Sequence, residues 1–341
     1  MGRWACDTLR ARPRAVSPFS KKEPGLEEIA IPTGPFGVHR TMHRLALLFV
    51  VALTACSAAG VTPQGTSDAG GAAADATTDG DVPCQPPPGF RFEPPPSRSY
   101  CVREIRGRVQ DTSAKPIFEE QITVCGLACF AGLSDATGAF RIKVNAFLPD
   151  DGYVIFAHGR PHHSGLFLRL PKAPPETIEL ARPIELAPLS KEGVPLPADD
   201  GPASTVRVGP LSFGVQAGTT WELSLEDVVA EGEGRKLRFA RVPVAQAPAF
   251  ASGAVLVYAL APFQARASRS LSLSIDEAGG LPPGSAVDLV VMEDGIVSAD
   301  NTGGLPRVAA KGHVSEDGKR VQTDPGQGID LLTWLAIRPS R

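Results

Sequence analysis

Apolar and polar residues alternate with a period of two over much of the chain. Ile105-Arg-Gly-Arg-Val109 is one such stretch, closed by turn residues between Asp111 and Pro116. Phe140, Ile142 and Val144 alternate after a tight turn marked by Asp135 and Gly138. A period of two places every second side chain on one face of a sheet, so these segments predict half-buried strands. Shorter apolar runs predict further strands at Ile122–Cys125, Tyr153–Ala157, Leu166–Leu170, Ile178–Leu180 and Ile184–Leu186. The same reading continues with Leu211–Val215, Thr220–Leu225, Lys236–Val244, Ala254–Leu260, Ser270–Ile275, Ala286–Met292 and Leu331–Ile337. The GLPPG at 280–284 and the turn Glu316-Asp317-Gly318-Lys319 punctuate them. Few stretches carry a helical period. The expected fold is all-β, with two β-sandwich domains in tandem, since one-sided sheets bury their apolar faces against one another.

One apolar run breaks the pattern. Leu45 to Leu53 is continuous, preceded by His43 and Arg44 and closed by Thr54, Ala55 and Cys56. At about ten residues it is short against the ~20 that span a bilayer. A basic head, a short apolar core and small closing residues are the pattern of a secretory signal. Leu53-Thr-Ala-Cys56 resembles the bacterial lipobox, in which the cysteine becomes the first mature residue and carries acyl chains. That resemblance implies lipidation at Cys56 and a membrane partner reached through the acyl chains. More than one chain gives stable anchoring at ~0.8 kcal/mol per buried CH₂. Ser57 stands where lipoproteins retained in the inner membrane often have Asp, so the resemblance implies an outer-membrane address in the cell envelope. Residues 1–41, with four arginines between Arg3 and Arg14 and no sustained apolar period, read as a start-site extension upstream of Met42.

The chain then divides by composition. Residues 42–55 are the signal segment, and 56–83 hold the lipidated cysteine and a tether. Ser57–Pro83 has no aromatic, Lys or Arg and cannot bury enough apolar surface to fold. Its 27 residues reach about 30 Å as a flexible chain. Residues 84–101 are a proline-rich connector, 102–187 a first β-domain, 188–203 a linker rich in Pro, Gly, Lys and Asp, and 204–341 a second β-domain. Glycine (35) and proline (33) are each about a tenth of the chain, in keeping with many turns between short strands.

Cysteine usage fits export. Beyond Cys6 and Cys56 there remain Cys84, Cys101, Cys125 and Cys129, for which two disulfides with three possible connectivities are expected. Cys125 and Cys129 would be ~13 Å apart on one extended strand, too far to bridge. A hairpin at Gly126-Leu127-Ala128 makes their bond feasible, and Cys84–Cys101 would then clip the connector to the first strand. From Cys56 onward 26 basic residues face 33 acidic ones, a formal charge of −7. With no basic run, this argues against a nucleic-acid partner.

The stretch "IRGRVQDTSAKPI … ITVCG … LSDATGAFRIKV" resembles the carboxypeptidase regulatory-like domain, a small transthyretin-like β-sandwich. Its I-x-G-x-V strand, proline-ended turn and D-x-x-G-x-F hairpin match, with Ser134 where Thr is usual and the cysteine hairpin added. The resemblance covers about residues 102–187 and implies an accessory, non-catalytic module. "FGVQAGTTWELSL" and "LSLSIDEAGGLPPGSAVDLVVME" faintly resemble ZU5-like β-domains.

Candidate chemistry is sparse. His158, His162 and His163 cluster in AHGRPHHSG and are weak metal candidates, because adjacent residues on a strand point to opposite faces. Trp221 and Trp334, with Tyr258, could stack on a sugar, although aromatics on alternating strands more often fill cores. His313 lies next to a hairpin turn and has no evident role as a base. No G-x-S-x-G, H-E-x-x-H or P-loop pattern is present. The expectation is a non-enzymatic binding, adhesion or scaffolding protein without cofactor, whose partner is an envelope protein or polysaccharide. A carbohydrate-binding accessory and a cryptic metal-dependent hydrolase are the alternatives.

Overall fold

The computed structural model describes residues 83–85, 99–126, 128–149, 153–230, 232–295 and 303–340. The start-site extension, the signal segment, Cys56, the tether up to 82 and most of the proline-rich connector lie outside the described residues.

The first half is built from two four-stranded sheets. In one, β1 (Ser99–Asp111) pairs antiparallel with β4 (Ala139–Pro149) and parallel with β7 (Thr177–Glu179) and β8 (Ile184–Leu186). The other runs β3 (Cys129–Leu133), β2 (Gln121–Cys125), β5 (Val154–Ala157), β6 (Leu166–Arg169), all antiparallel. β4 shows why the period of two was legible. Phe140, Ile142, Val144, Ala146 and Leu148 are buried in one apolar core while Arg141, Lys143 and Asn145 face outward. The turn that launches β4 is fixed by chemistry. Asp135 Oδ1 accepts the N–H groups of Thr137 (2.8 Å) and Ala139 (3.0 Å). Gly138 adopts φ +74°, and a Cβ there would sit 2.3 Å from the Val109 carbonyl oxygen, so no other residue fits.

Two disulfides brace this half, Cys84–Cys101 and Cys125–Cys129, with Cα separations of 5.6 and 4.2 Å. The second closes the β2–β3 hairpin, where Cys125 and Cys129 are register partners.

The second half is one twelve-stranded sheet. Its order begins β10 (Ser204–Val208), β11 (Leu211–Val215), β15 (Ala265–Ile275), β18 (Val321–Thr323), β17 (Pro306–Val314). It continues β16 (Ala286–Met292), β20 (Trp334–Pro339), β14 (Leu256–Ala261), β13 (Lys236–Arg241), β9 (Val194–Pro195). β12 (Trp221–Glu222) and β19 (Ile329–Leu332) both pair with β15. The two ends, β9 and β10, come together, so the sheet nearly closes into a barrel. The all-β expectation holds. The second half, however, closes on itself instead of stacking two sheets: β15 pairs with four other strands, and Leu273, Leu289, Val291 and Ile337 fill one interior. The strand expected over 220–225 is present only as the short β12, and a five-residue helix, α1 (Leu225–Val229), follows it.

The two halves share a core. Along β14, β16 and β20, alternate residues point into the barrel (Tyr258, Val291, Leu335), while their neighbours Ala259, Val290, Met292 and Trp334 join the core of the first half. These strands are buried on both faces, which is why their sequences read as unbroken apolar runs. The connecting residues 188–203 are themselves tied in. Val194 and Pro195 pair with β13, and the Leu196 N–H donates to Arg235 O at 2.8 Å. Among the described residues no helix is long and apolar enough to cross a membrane.

Candidate functional site

A cluster of charged side chains lies where the halves meet, around the connection between β5 and β6. Glu120 is buried at the head of β2 and accepts the Gly159 N–H at 2.6 Å. Burial raises its carboxyl above the ordinary range, against the lowering effect of its backbone hydrogen bonds and of Arg160. The chain then turns through Gly159 (φ +73°), and Arg160 follows.

Arg160 makes a forked contact with Asp227, Nε to Oδ1 at 3.0 Å and Nη2 to Oδ2 at 2.9 Å. Nη2 also donates to Phe263 O at 3.1 Å, and Nη1 meets Glu226. Asp227 is placed by the local sequence. Ser224 caps α1, its Oγ accepting the Asp227 N–H at 3.2 Å and donating to Oδ2 at 2.9 Å. The helix is inverted relative to an ordinary surface helix. Asp227 is its buried side chain, while Leu225, Val228 and Val229 are 77, 61 and 66% exposed.

Beside this clasp is a pocket of about 240 Å³. Pro161, Leu189, Pro262 and Phe263 give it apolar walls. Lys236 and Arg238, two apart on β13 and so on one face, also line it, and both pair with Glu233. Those two hydrogen bonds hold the Glu233 carboxyl below its usual range. Gly234 lets this turn press against α1, since a Cβ would lie 2.0 Å from Asp227 O.

The histidines in the quoted stretch serve three different surroundings. His158 is buried against Phe156, ring centroids 4.0 Å apart, with Nε2 3.3 Å from Thr123 Oγ1 and Nδ1 3.2 Å from Glu226 Oε1. His162 is exposed, and His163 is half-buried, bridging to Pro188. Among the described residues no group of three or more His, Cys, Asp or Glu is placed to hold a metal. The sugar-stacking candidates are also otherwise engaged. Trp334 is 1% exposed and donates Nε1–H to Gly165 O at 2.7 Å, and Trp221 lies in the barrel interior. Neither presents a ring face to solvent, because each fills a core. His313 has both ring nitrogens engaged, Nδ1 2.7 Å from Asp324 Oδ1 and Nε2 2.9 Å from Gln322 Nε2.

Burial first, then the positive Arg160, push His158 down to about 4 from 6.5. The unfolded chain therefore takes up a proton on this ring between pH 6.5 and 4 while the folded chain does not. That contribution to stability is full above the unfolded value and is lost as pH falls toward 4. Denaturant titrations at pH 7 and pH 5 should differ by about 2 kcal/mol more for the parent than for His158→Gln. An equal difference for both proteins would show that the ring titrates freely.

Sequence reasoning passed over Arg160, Asp227, Glu233 and Arg238. One signal was available: Ser224-Leu-Glu-Asp227 has the spacing of a helix-capping box. Comparison with protein-family models and with curated proteins finds no match to this chain.

Proposed function

We propose that this chain is a lipid-anchored protein of the bacterial cell envelope, an outer-membrane lipoprotein, whose β body is a non-catalytic binding module. The observation that carries the reading is Leu53-Thr-Ala-Cys56 behind a basic head and an apolar run too short to span a bilayer. Two disulfides are in keeping with an exported body. The paired four-stranded sheets around one core support assigning residues 102–187 to a carboxypeptidase regulatory-like β-sandwich. The second half serves as a barrel fused to it. The ionisable groups at the seam are spent on one another, Arg160 with Asp227 and Lys236 with Glu233. Such groups stiffen a surface for recognition, and the pocket beside them is the place where a partner would be held.

The anchor is tested with Cys56→Ser. The parent should incorporate labelled palmitate and sediment with outer membranes, whereas the variant should be unlabelled and released. Labelling and membrane retention in the variant would remove the basis of the proposal.

A further inference from the structure

We infer that the seam pocket binds a small molecule with one carboxylate and a compact apolar body, an inference resting on the reading of this protein as a binding module. The cations that line the pocket differ in how their charges are matched. Arg160 is enclosed by Asp227, Glu226 and Phe263 O, and its own side chain is 18% exposed. Lys236 and Arg238, in contrast, share one acid. Arg238 is 11% exposed, yet its carboxylate partner Glu233 is 53% exposed. A nearly buried guanidinium is thus balanced by a group that stands half in water.

An incoming carboxylate can take the place of Glu233 on Arg238 and Lys236, and Glu233 can turn to solvent at little cost because it is already half hydrated. A guanidinium matches a carboxylate with two parallel hydrogen bonds, and desolvation strengthens them. Glu226 and Asp227 also line the pocket but are already paired with Arg160, and apart from His163 the remaining side chains, Pro161, Leu189, Pro262 and Phe263 among them, are apolar and favour an apolar body. Size follows from volume. An apolar cavity of about 150 Å³ accepts benzene, so about 240 Å³ accommodates one ring, or a short branched chain, together with its carboxylate.

Calorimetric titration of the full chain with benzoate and with its neutral isostere benzamide tests this. Benzoate should bind at least tenfold more tightly than benzamide. Glu233→Gln should tighten benzoate severalfold and leave benzamide unchanged, a gain that a purely structural role for Glu233 does not produce. Arg238→Met should bring benzoate down to the benzamide level. Should that variant fail to fold, Lys236→Met and Glu233→Gln carry the same comparison. Equal binding of the two probes, or benzoate binding that Glu233→Gln does not strengthen, overturns the carboxylate inference and leaves the pocket standing. If neither probe binds, the seam as the binding place falls too, and the lipid anchor is untouched by that result.

Discussion

Trp334→Ala is expected to cost about 3–5 kcal/mol of folding stability, the range for removing a large aromatic from a packed core. Trp334 reaches from the barrel into the first half, and its indole N–H holds Gly165 O at 2.7 Å. Around it Phe156, Phe167 and Phe263 form one cluster drawn from both halves, with ring centroids 4.7 to 5.7 Å apart. Gly165 is part of the fit, because a Cβ there would lie 2.5 Å from the Phe263 ring. Alanine at 334 leaves a cavity and an unpaired carbonyl together. Trp334→Phe keeps most of the packing and should lose about 1–2 kcal/mol, mainly the hydrogen bond. Chemical denaturation followed by circular dichroism measures both, and a loss under about 1 kcal/mol for alanine would mean that this core is not shared.

Arg160→Met should be nearly as damaging, at about 3–5 kcal/mol, because it strands a buried carboxylate. Asp227 is 6% exposed at its side chain and would retain Ser224 alone among its side-chain partners. The double variant Arg160→Met with Asp227→Asn removes both charges and should recover much of that loss, since a buried pair contributes little net stability beyond an apolar replacement. Equal losses for the single and double variants would show that the clasp is not a coupled pair.

Much of the first half was legible because one face of each long strand is solvated. The alternation at Phe140, Ile142 and Val144 and the Asp135–Gly138 turn are local chemistry. The runs at 286–292 and 331–337 were legible as strands too, but an unbroken apolar run says only that both faces are covered. It does not say that the cover on one face is the first half, which is why separate tandem domains were expected. β17 escaped notice because Pro306, Ala309, Ala310 and Gly312 have little strand propensity and are held by β16 and β18. α1 escaped because it begins where the alternation of Thr220 to Leu225 ends, and five residues carry too little helical period to read apart from the Ser224 cap. The candidate site was least legible. Arg160 and Asp227 are 67 residues apart, and a charge gives no periodic signal of its partner.

The pocket and the clasp exist only where the two halves meet, so both require that the halves form one cooperative body. Native-state hydrogen exchange at β5 and β20 addresses this directly. Amides of 154–157 and 334–337 should exchange through the same opening, with equal free energies that fall together in Trp334→Ala. Exchange from β5 at a lower free energy, unmoved by that substitution, would show two independent halves and contradict the account.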